Sequence, residues 1–484
     1  MRVRERTSSA LDGSESYSTE LRGMLFARNR TRSPSVTGIL SHQITHKDFS
    51  PIMIQREVLP NGIRIVTENI TYVQSVALGI WVGVGARDEA DNLRGVSHVI
   101  EHMLFKGTPS RSAQEIADQI DSVGGDINAF TSKENTCYHV RILSEHVPLA
   151  LDILTDIFLN SIVDPEELGR EQNVILEEIK RRDDEPDDLV HDLFAETLWP
   201  KHVLGKSVIG TPETVSSFKS KDLKNYMSTR YTPDTIVVSA AGNLNHDEIV
   251  AMVTERFGHL TGKKSDWREP DTDPKFVAGT SYIEKSIEQV NLVLGAPGFS
   301  QLSEDKYKLS ILDNILGGSM SSRLFQEIRE KRGLAYSIGS YSQSYREGGY
   351  FAVYSGTSAA TAEQVIDLVK TEFVNVRKNN ITEKELDRAK NQFRGGVVMS
   401  QESMNSRMMR MGRNELIYDR VLPIEEVMGK ITSVTCEDVA QVAEHLFGRD
   451  AYAMATVGPR LKTSRNGTGK KAEKTGAKSE KAAK

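Results

Sequence analysis

The sequence predicts an α+β fold built from two similar halves. Short runs rich in β-branched residues predict strands, and apolar residues at helical spacing predict helices, from residue 54 to residue 457. After a polar stretch at residues 262–274, a similar order of strands and helices begins again. A single recurrence at roughly 200 residues indicates a duplicated domain and not a solenoid of short repeats.

The two halves can be compared residue by residue. The segment His98–Leu104 lies over Ser310–Leu316 at a constant offset of 212 residues. Apolar positions coincide, whereas the three polar positions change from His, Glu and His to Ser, Asp and Asn. We interpret the second half as a copy of the first that kept the apolar residues of its core and lost the His, Glu and His side chains that could carry chemistry. The alternative is a chance similarity between two amphipathic helices.

Length and composition limit the class of protein. A chain of 484 residues is too long for one ordinary domain, and 38% hydrophobic with 26% charged residues is typical of a globular protein with a sizeable core. Two cysteines, Cys137 and Cys436, exclude a disulfide framework and a cysteine-based zinc ribbon. No run of about 18 apolar residues occurs, so the sequence predicts no membrane-spanning helix.

The charge is unevenly distributed. Residues 1–52 carry a net charge of +3 and residues 460–484 one of +7, which leaves −16 on the remainder. An acidic body disfavours nucleic acid as the main partner. The basic tail is interpreted as a disordered, solubilising segment, and contact with polyanions is the alternative.

The first 52 residues differ from the rest, because they are rich in Arg and Ser and lack a sustained helical or strand pattern. No apolar core of a secretory signal follows the early arginines. Residues 24–33 partly resemble a transit peptide, but the acidic residues nearby weaken that interpretation. We expect a disordered or spurious extension, with Met53 as a possible true start, in a cytoplasmic protein; targeting to an organelle is the alternative.

The strongest chemical signal is His98, Glu101 and His102. On a helix, four residues turn through about 400°, so the two histidines lie on one face, one above the other. Two imidazoles at this spacing can bind one Zn²⁺, and a glutamate beside them can reach a metal-bound water. This inverted order of His-Glu-x-x-His is a zinc-hydrolase signature. The alternative is a pair of hydrogen-bonded histidines on a partly buried helix.

A catalytic zinc needs a third protein ligand. Glu171 and Glu178 are seven residues apart and therefore share one helical face. Taken alone, each could be an ordinary solvated helix residue. We interpret Glu177 in that way.

The segment Gly95–Thr108, with Gly85–Glu89 just before it, resembles the inverzincin metallopeptidases of the pitrilysin/insulinase type, in particular their processing-peptidase branch. The resemblance extends from about residue 53 to residue 457. It implies one Zn²⁺ per chain, with Glu178, 76 residues beyond His102, as the third ligand. It also implies that Glu171 supports the site.

The resemblance further implies how substrate is bound. Asn128, Ala129 and Phe130 match the family's edge strand, which pairs with the backbone of an extended peptide. In the second half, Arg329 and Tyr336 match a pair that reaches across to the active site. Arg329 would bind a substrate carbonyl, and Tyr336 would help to stabilise the oxyanion.

The implied architecture is a clam shell of two homologous halves, each a mixed, mostly antiparallel sheet with helices packed on one face. The expected boundaries are an extension at 1–52, a catalytic half at 53–262, a linker at 263–278, a degenerate half at 279–457 and a basic tail at 458–484. The implied activity is a zinc endopeptidase in which Glu101 activates a zinc-bound water. Its substrates would be unfolded peptides or presequence-like segments inside a chamber.

A short glycine-rich loop at residues 316–323, with both sets of site residues in one chain, resembles the bacterial single-chain enzymes, which form homodimers. One alternative is a non-catalytic scaffold of a respiratory complex. Another is an active subunit of a heterodimeric processing peptidase, which works only with a separate partner.

Overall fold

The computed structural model describes residues 54–264, 272–461 and 468–471. The expected extension at 1–52 lies outside these residues, as does part of the expected linker. The described chain forms two six-stranded sheets and their helices.

The first half holds one sheet in the order β1-β2-β6-β3-β5-β4. Its strands are β1 (Ile54–Val58), β2 (Arg64–Asn69), β3 (Ser75–Val82), β4 (Asp126–Thr131), β5 (Thr136–Leu143) and β6 (Ile236–Gly242). Its helices are α1 (Val96–Leu104), α2 (Ala113–Asp121), α3 (Val147–Asn160), α4 (Pro165–Asp184), α5 (Pro186–Leu198), α6 (Pro212–Ser217), α7 (Ser220–Arg230) and α8 (His246–Phe257). Only β2 and β6 pair in parallel; the other neighbouring strands are antiparallel.

The second half holds a sheet in the order β12-β7-β11-β8-β10-β9. Its strands are β7 (Gly279–Glu284), β8 (Gln289–Pro297), β9 (Ala335–Ser344), β10 (Gly349–Ser358), β11 (Ala453–Gly458) and β12 (Thr468–Lys471). Its helices are α9 (Asp305–Leu316), α10 (Ala362–Asn379), α11 (Glu383–Ser400), α12 (Met404–Tyr418), α13 (Ile424–Thr432) and α14 (Cys436–Phe447), with a π-helical turn at Phe325–Glu330.

The two sheets share one topology. If β2 is matched to β7, the order 2-6-3-5-4 of the first sheet becomes 7-11-8-10-9 in the second, with parallel pairing at the same place. The predicted pair of homologous halves, each a mixed and mostly antiparallel sheet, is therefore confirmed. In this match β4 and β9 are equivalent edge strands.

The helices of the first half pack on one face of their sheet, as predicted. Alternate residues of β3 point to opposite faces, because the side-chain period of a strand is two. Leu78 and Ile80 face this helical core, whereas Ala77 and Trp81 belong to a separate core on the other face. All four side chains are buried.

The second face of each sheet is covered by a helix from the other half, a feature that the sequence analysis did not anticipate. Helix α12 packs on β2, β3 and β6, where Met408 and Met411 join the core around Trp81. Helix α5 packs on β7, β8 and β11, and its Phe194 contacts Tyr350 of β10 edge to face, with ring centroids 5.3 Å apart. The two halves thus exchange one helix each.

The expectation of a disordered tail from residue 458 is wrong for part of that segment. Leu461 is buried in the second core, and the Arg460 guanidinium lies 4.8 Å from the Tyr282 ring centroid. Residues 468–471 form β12, which pairs in parallel with β7. The physical reason is that the outer edge of β7 offers unpaired backbone groups for a further strand.

Among the described residues, no single helix is long and apolar enough to cross a membrane. The segments Ser144–Asn160 and Pro165–Asp184 together meet the requirements of length and composition, but they meet at an angle of 99°.

We expect Gly412→Ala to destabilise the fold, since the exchange of α12 requires a close approach to Trp81. A Cβ atom at Gly412 would lie 2.1 Å from Nε1 of the buried Trp81 indole, which also donates a hydrogen bond to Ser239 Oγ. Overpacking costs about 1–3 kcal/mol and the gain in helix propensity is about 1 kcal/mol, so we expect a net loss of up to about 2 kcal/mol in the free energy of unfolding. Urea unfolding of the variant and of the wild type measures the difference.

The matched control is Gly429→Ala in α13, where an added Cβ meets nothing within 4 Å. This variant should gain up to about 1 kcal/mol in free energy of unfolding, because Ala is the better helix former. Equal effects of the two substitutions would show that the contact with Trp81 is not close.

The packing of α5 should weaken in acid. His191 of α5 shares a hydrogen bond of 2.6 Å with Tyr341 Oη of β9, and burial lowers the pKa of His191 to about 4. The unfolded chain takes up this proton near pH 6.5, so stability is lost as the pH falls from about 6.5 towards 4. His191→Gln should reduce this slope by at most about 1.4 kcal/mol per pH unit. Urea titrations at several pH values test this, and an unchanged slope would contradict it.

Candidate metal centre

Helix α1 begins at a position that only glycine suits. Gly95 has φ of 86°, and a Cβ there would lie 2.8 Å from the Ile209 carbonyl oxygen. The buried Glu89 carboxylate accepts hydrogen bonds from the backbone N–H groups of Gly95 (2.7 Å) and Ser97 (2.8 Å). Burial nevertheless raises the pKa of Glu89 to about 8. This contact satisfies the first N–H groups of the helix and fixes where α1 starts.

The remaining residues of α1 turn its two histidines towards α4. Val99, Ile100 and Met103 are fully buried in the first core. His98 and His102 occupy the other side of the helix, and their ring centroids lie 4.7 Å apart. The predicted arrangement of two imidazoles on one helical face is therefore present.

Helix α4 brings Glu178 to both histidines. Glu178 Oε2 lies 3.7 Å from Nε2 of His98 and 3.7 Å from Nε2 of His102. One donor atom from each of the three residues lies within 4.8 Å of the others. A tetrahedral ion with bonds of about 2.1 Å separates its donor atoms by about 3.4 Å, so this set has the size that Zn²⁺ requires. Burial, followed by the nearby His102, lowers the pKa of His98 to about 3, which keeps its imidazole neutral and able to bind a metal.

Glu171 orients the second histidine. His102 Nδ1 donates a hydrogen bond to Glu171 Oε2 at 3.0 Å, so its Nε2 carries the lone pair that faces Glu178. Glu171 Oε1 is paired with Lys106 Nζ at 2.5 Å. Burial lowers the pKa of His102, but the hydrogen bond to Glu171 and the surrounding carboxylates outweigh it, and the pKa is raised. A carboxylate behind a histidine is the usual arrangement around protein-bound zinc.

Glu101 lies beside the three possible ligands and is not one of them. Its Oε2 accepts a hydrogen bond of 2.6 Å from Thr131 Oγ1 at the end of β4. Burial raises the pKa of Glu101. By contrast, the side chain of Glu177 is 73% exposed and paired with Lys180, in line with its interpretation as a solvated residue.

The three residues matched to the substrate strand lie on β4, at the edge of the first sheet within the described chain. Asn128 is exposed, Ala129 packs against the first core, and the Phe130 ring contacts Trp81 edge to face. Their side chains thus point to alternate faces, and what all three share is a place on the outer edge of the sheet, where the Ala129 N–H donates a hydrogen bond to Asn128 Oδ1 at 2.8 Å.

Arg329 and Tyr336 lie together in the second half. The Arg329 guanidinium carbon is 5.8 Å from the Tyr336 ring centroid and 4.7 Å from that of Phe325. The Tyr336 side chain is 73% exposed. In the part of the chain that the structure describes, no hydrogen bond or ion pair joins this pair to His98, His102 or Glu178.

Three residues at the site were missed by the sequence analysis, namely Glu89, Lys106 and Thr131. Each acts through a contact between different elements: Glu89 with the start of α1, Lys106 with α4, and Thr131 with α1. Glu89 and Lys106 lay within the segments that carried the family resemblance, and Thr131 directly follows the residues matched to the substrate strand; the resemblance was the only available signal.

Comparison with known families agrees with this geometry. The model of the insulinase family, peptidase family M16, matches residues 64–212. The model of the peptidase M16 inactive domain matches residues 217–393. The first match contains the histidine pair, and the second contains Ser310 and Asn314, which stand where those histidines are replaced.

Curated bacterial relatives match most of the chain. A protein of Bacillus subtilis (strain 168) named uncharacterized zinc protease YmxG is 43% identical over 84% of this chain and 98% of its own length. The uncharacterized zinc protease SCO5738 of Streptomyces coelicolor is 39% identical over 84% of this chain and 90% of its own length.

Solved structures share the fold. A peptidase M16 inactive-domain structure from Pseudomonas fluorescens has a TM-score of 0.78 at 22% identity and covers 84% of this chain and 98% of that one. A protease from Helicobacter pylori also has a TM-score of 0.78, at 21% identity, and covers 84% of this chain and 100% of that one. The two family matches and the extent of the relatives show that the chain belongs to the insulinase family of peptidases, peptidase family M16.

Proposed function

We propose that the chain is a zinc-dependent endopeptidase that cleaves unfolded peptides or presequence-like segments. The observation that carries this proposal is the convergence of one donor atom each from His98, His102 and Glu178, with Glu101 beside them. The zinc-protease names of the bacterial relatives support it.

His98, His102 and Glu178 are the residues that would hold the ion. Bound there, Zn²⁺ supplies a Lewis acid that lowers the pKa of a coordinated water and polarises a carbonyl group. Glu171 holds the His102 ring in the orientation in which Nε2 faces Glu178. Lys106 in turn fixes Glu171.

Glu101 acts as the general base and then as the general acid. It takes a proton from the attacking water and delivers it to the leaving amine. Burial raises the pKa of Glu101 and so favours the protonated form, from which it delivers the proton.

The substrate backbone lies along the free edge of β4, next to Asn128, Ala129 and Phe130. Main-chain hydrogen bonds at such an edge recognise an extended chain more than a particular sequence. Arg329 binds a substrate carbonyl and Tyr336 helps to stabilise the oxyanion when the second half approaches the first.

A chamber between the halves would admit unfolded segments and exclude folded domains. The net charge of −16 on residues 53–459 favours basic peptides as substrates.

We further propose that the protein forms a homodimer and acts in the cytoplasm of a bacterium. The intact histidine pair and both glutamates disfavour a purely structural scaffold; a subunit that needs a separate partner is the second candidate.

The proposal is tested by measuring zinc content and cleavage of a set of quenched fluorescent peptides, on protein purified alone. About one zinc per chain and cleavage that a chelator abolishes are expected. Zinc without cleavage of any peptide would favour the partner-dependent candidate. A chain that takes up no zinc when zinc is supplied would contradict the proposal.

Glu101→Gln should keep its zinc and lose turnover by at least about 10²–10⁴-fold, because the amide cannot accept the proton. Metal analysis and the peptide assay measure the two effects separately. Glu177→Gln is the matched control on α4, since the exposed Glu177 contacts Lys180, and its activity should equal that of the wild type. Substantial activity of the Glu101 variant would rule out the assigned role.

Glu171→Gln should weaken zinc binding by about 10–100-fold, because the amide supports His102 less well and no longer pairs with Lys106. Competition with a chelator of known affinity gives the dissociation constant. An unchanged constant would show that the contact with His102 does not support the metal site.

A further inference from the structure

Thr131 is placed to control one oxygen of Glu101. It is the last residue of β4, is 4% exposed, and donates its hydroxyl proton to Glu101 Oε2 at 2.6 Å. The neighbouring Thr136 Oγ1 lies 3.0 Å from the Val84 carbonyl oxygen and 3.5 Å from Thr131 Oγ1. A hydroxyl has a single proton, and Thr136 donates its proton to the nearer acceptor, the Val84 carbonyl oxygen. Thr131 donates its own proton to the Glu101 carboxylate.

The two oxygens of Glu101 therefore differ. Oε2 has a hydrogen-bond donor, whereas Oε1 has no hydrogen-bond partner in the described chain. A carboxylate oxygen that already accepts a short, charge-assisted hydrogen bond is a weaker proton acceptor than its free neighbour. The contact also fixes the rotation of the carboxylate about its terminal bond, which is otherwise broad.

The second half contains the same link without the metal ligands. Asp313 stands 212 residues after Glu101 at the equivalent position of α9. Its Oδ1 lies 2.5 Å from Ser340 Oγ and its Oδ2 lies 3.2 Å from Ser342 Oγ, both on β9, the edge strand that is equivalent to β4. A helix carboxylate bound to an edge-strand hydroxyl is thus a feature of both halves and does not depend on a metal. What differs is that both oxygens of Asp313 are occupied, while Glu101 keeps one free.

We infer that Thr131 is a positioning residue, which holds Glu101 by Oε2 and leaves Oε1 as the atom that takes and returns the proton. This inference rests on the proposed peptidase function. It also connects β4 directly to the general base Glu101, because the strand proposed to border the substrate ends at Thr131, which holds Glu101.

The test compares Thr131→Val, which keeps the branched shape and removes the hydroxyl, with Thr131→Ser, which keeps the hydroxyl. For the valine variant we expect kcat to fall by about 100-fold, with KM and zinc content unchanged. The serine variant should recover most of kcat. Ser342→Ala is the control in the second half, where loss of the equivalent link should leave kcat unchanged even if stability falls.

Crystal structures of the zinc-loaded wild type and Thr131→Val provide a readout that does not depend on activity. The wild type should show Glu101 in one orientation on Thr131, and the variant should show it rotated or in several orientations. Unchanged kcat in the valine variant, or an unmoved Glu101, would overturn the inference. Equal losses in the valine and serine variants would also overturn it. If the wild type purified alone cleaves nothing while Glu101 still moves, the proposal of a self-sufficient peptidase fails and the positioning contact stands.

Discussion

The exchange of one helix between the halves is the contact on which the rest of the structure depends. Each sheet has two apolar faces, and its own helices cover only one of them. Helix α12 covers the second face of the first sheet, and α5 covers that of the second sheet. Since α5 follows directly after α4, the helix that carries Glu178 is anchored at its end on the opposite half.

The site itself is built at three levels. Glu89 fixes the start of α1, the first core orients its histidines, and the packing of α1 against α4 brings Glu178 within reach of both. Glu171 and Lys106 then set the orientation of one imidazole. All of these contacts lie in the first half. In the proposed function the second half supplies Arg329 and Tyr336, so that one half would hold the metal and the other would bind the substrate.

The sequence predicted those elements whose periodicity is strong and local. Regular apolar spacing predicts helices over residues 246–257 and 305–316, and an unbroken apolar run predicts a strand over residues 236–242; α8, α9 and β6 have these bounds. No pattern predicts helices α5 and α12, since each packs on a distant sheet, and the apolar side chains that α12 buries are the methionines Met404, Met408 and Met411, which stand among arginines. At the site, helical spacing alone placed His98 and His102 on one face. Glu178 required the family resemblance, and the contact between Thr131 and Glu101 could not be predicted, because it joins a strand end to a helix.

The central claim is that His98, His102 and Glu178 hold a single zinc ion. The most direct measurement is an anomalous difference map from crystals of the protein purified with zinc, with data collected on both sides of the zinc absorption edge. We expect one peak at about 2.0–2.2 Å from Nε2 of each histidine and from a carboxylate oxygen of Glu178. A map with no peak between these three residues, or with its zinc peak elsewhere in the chain, would contradict it.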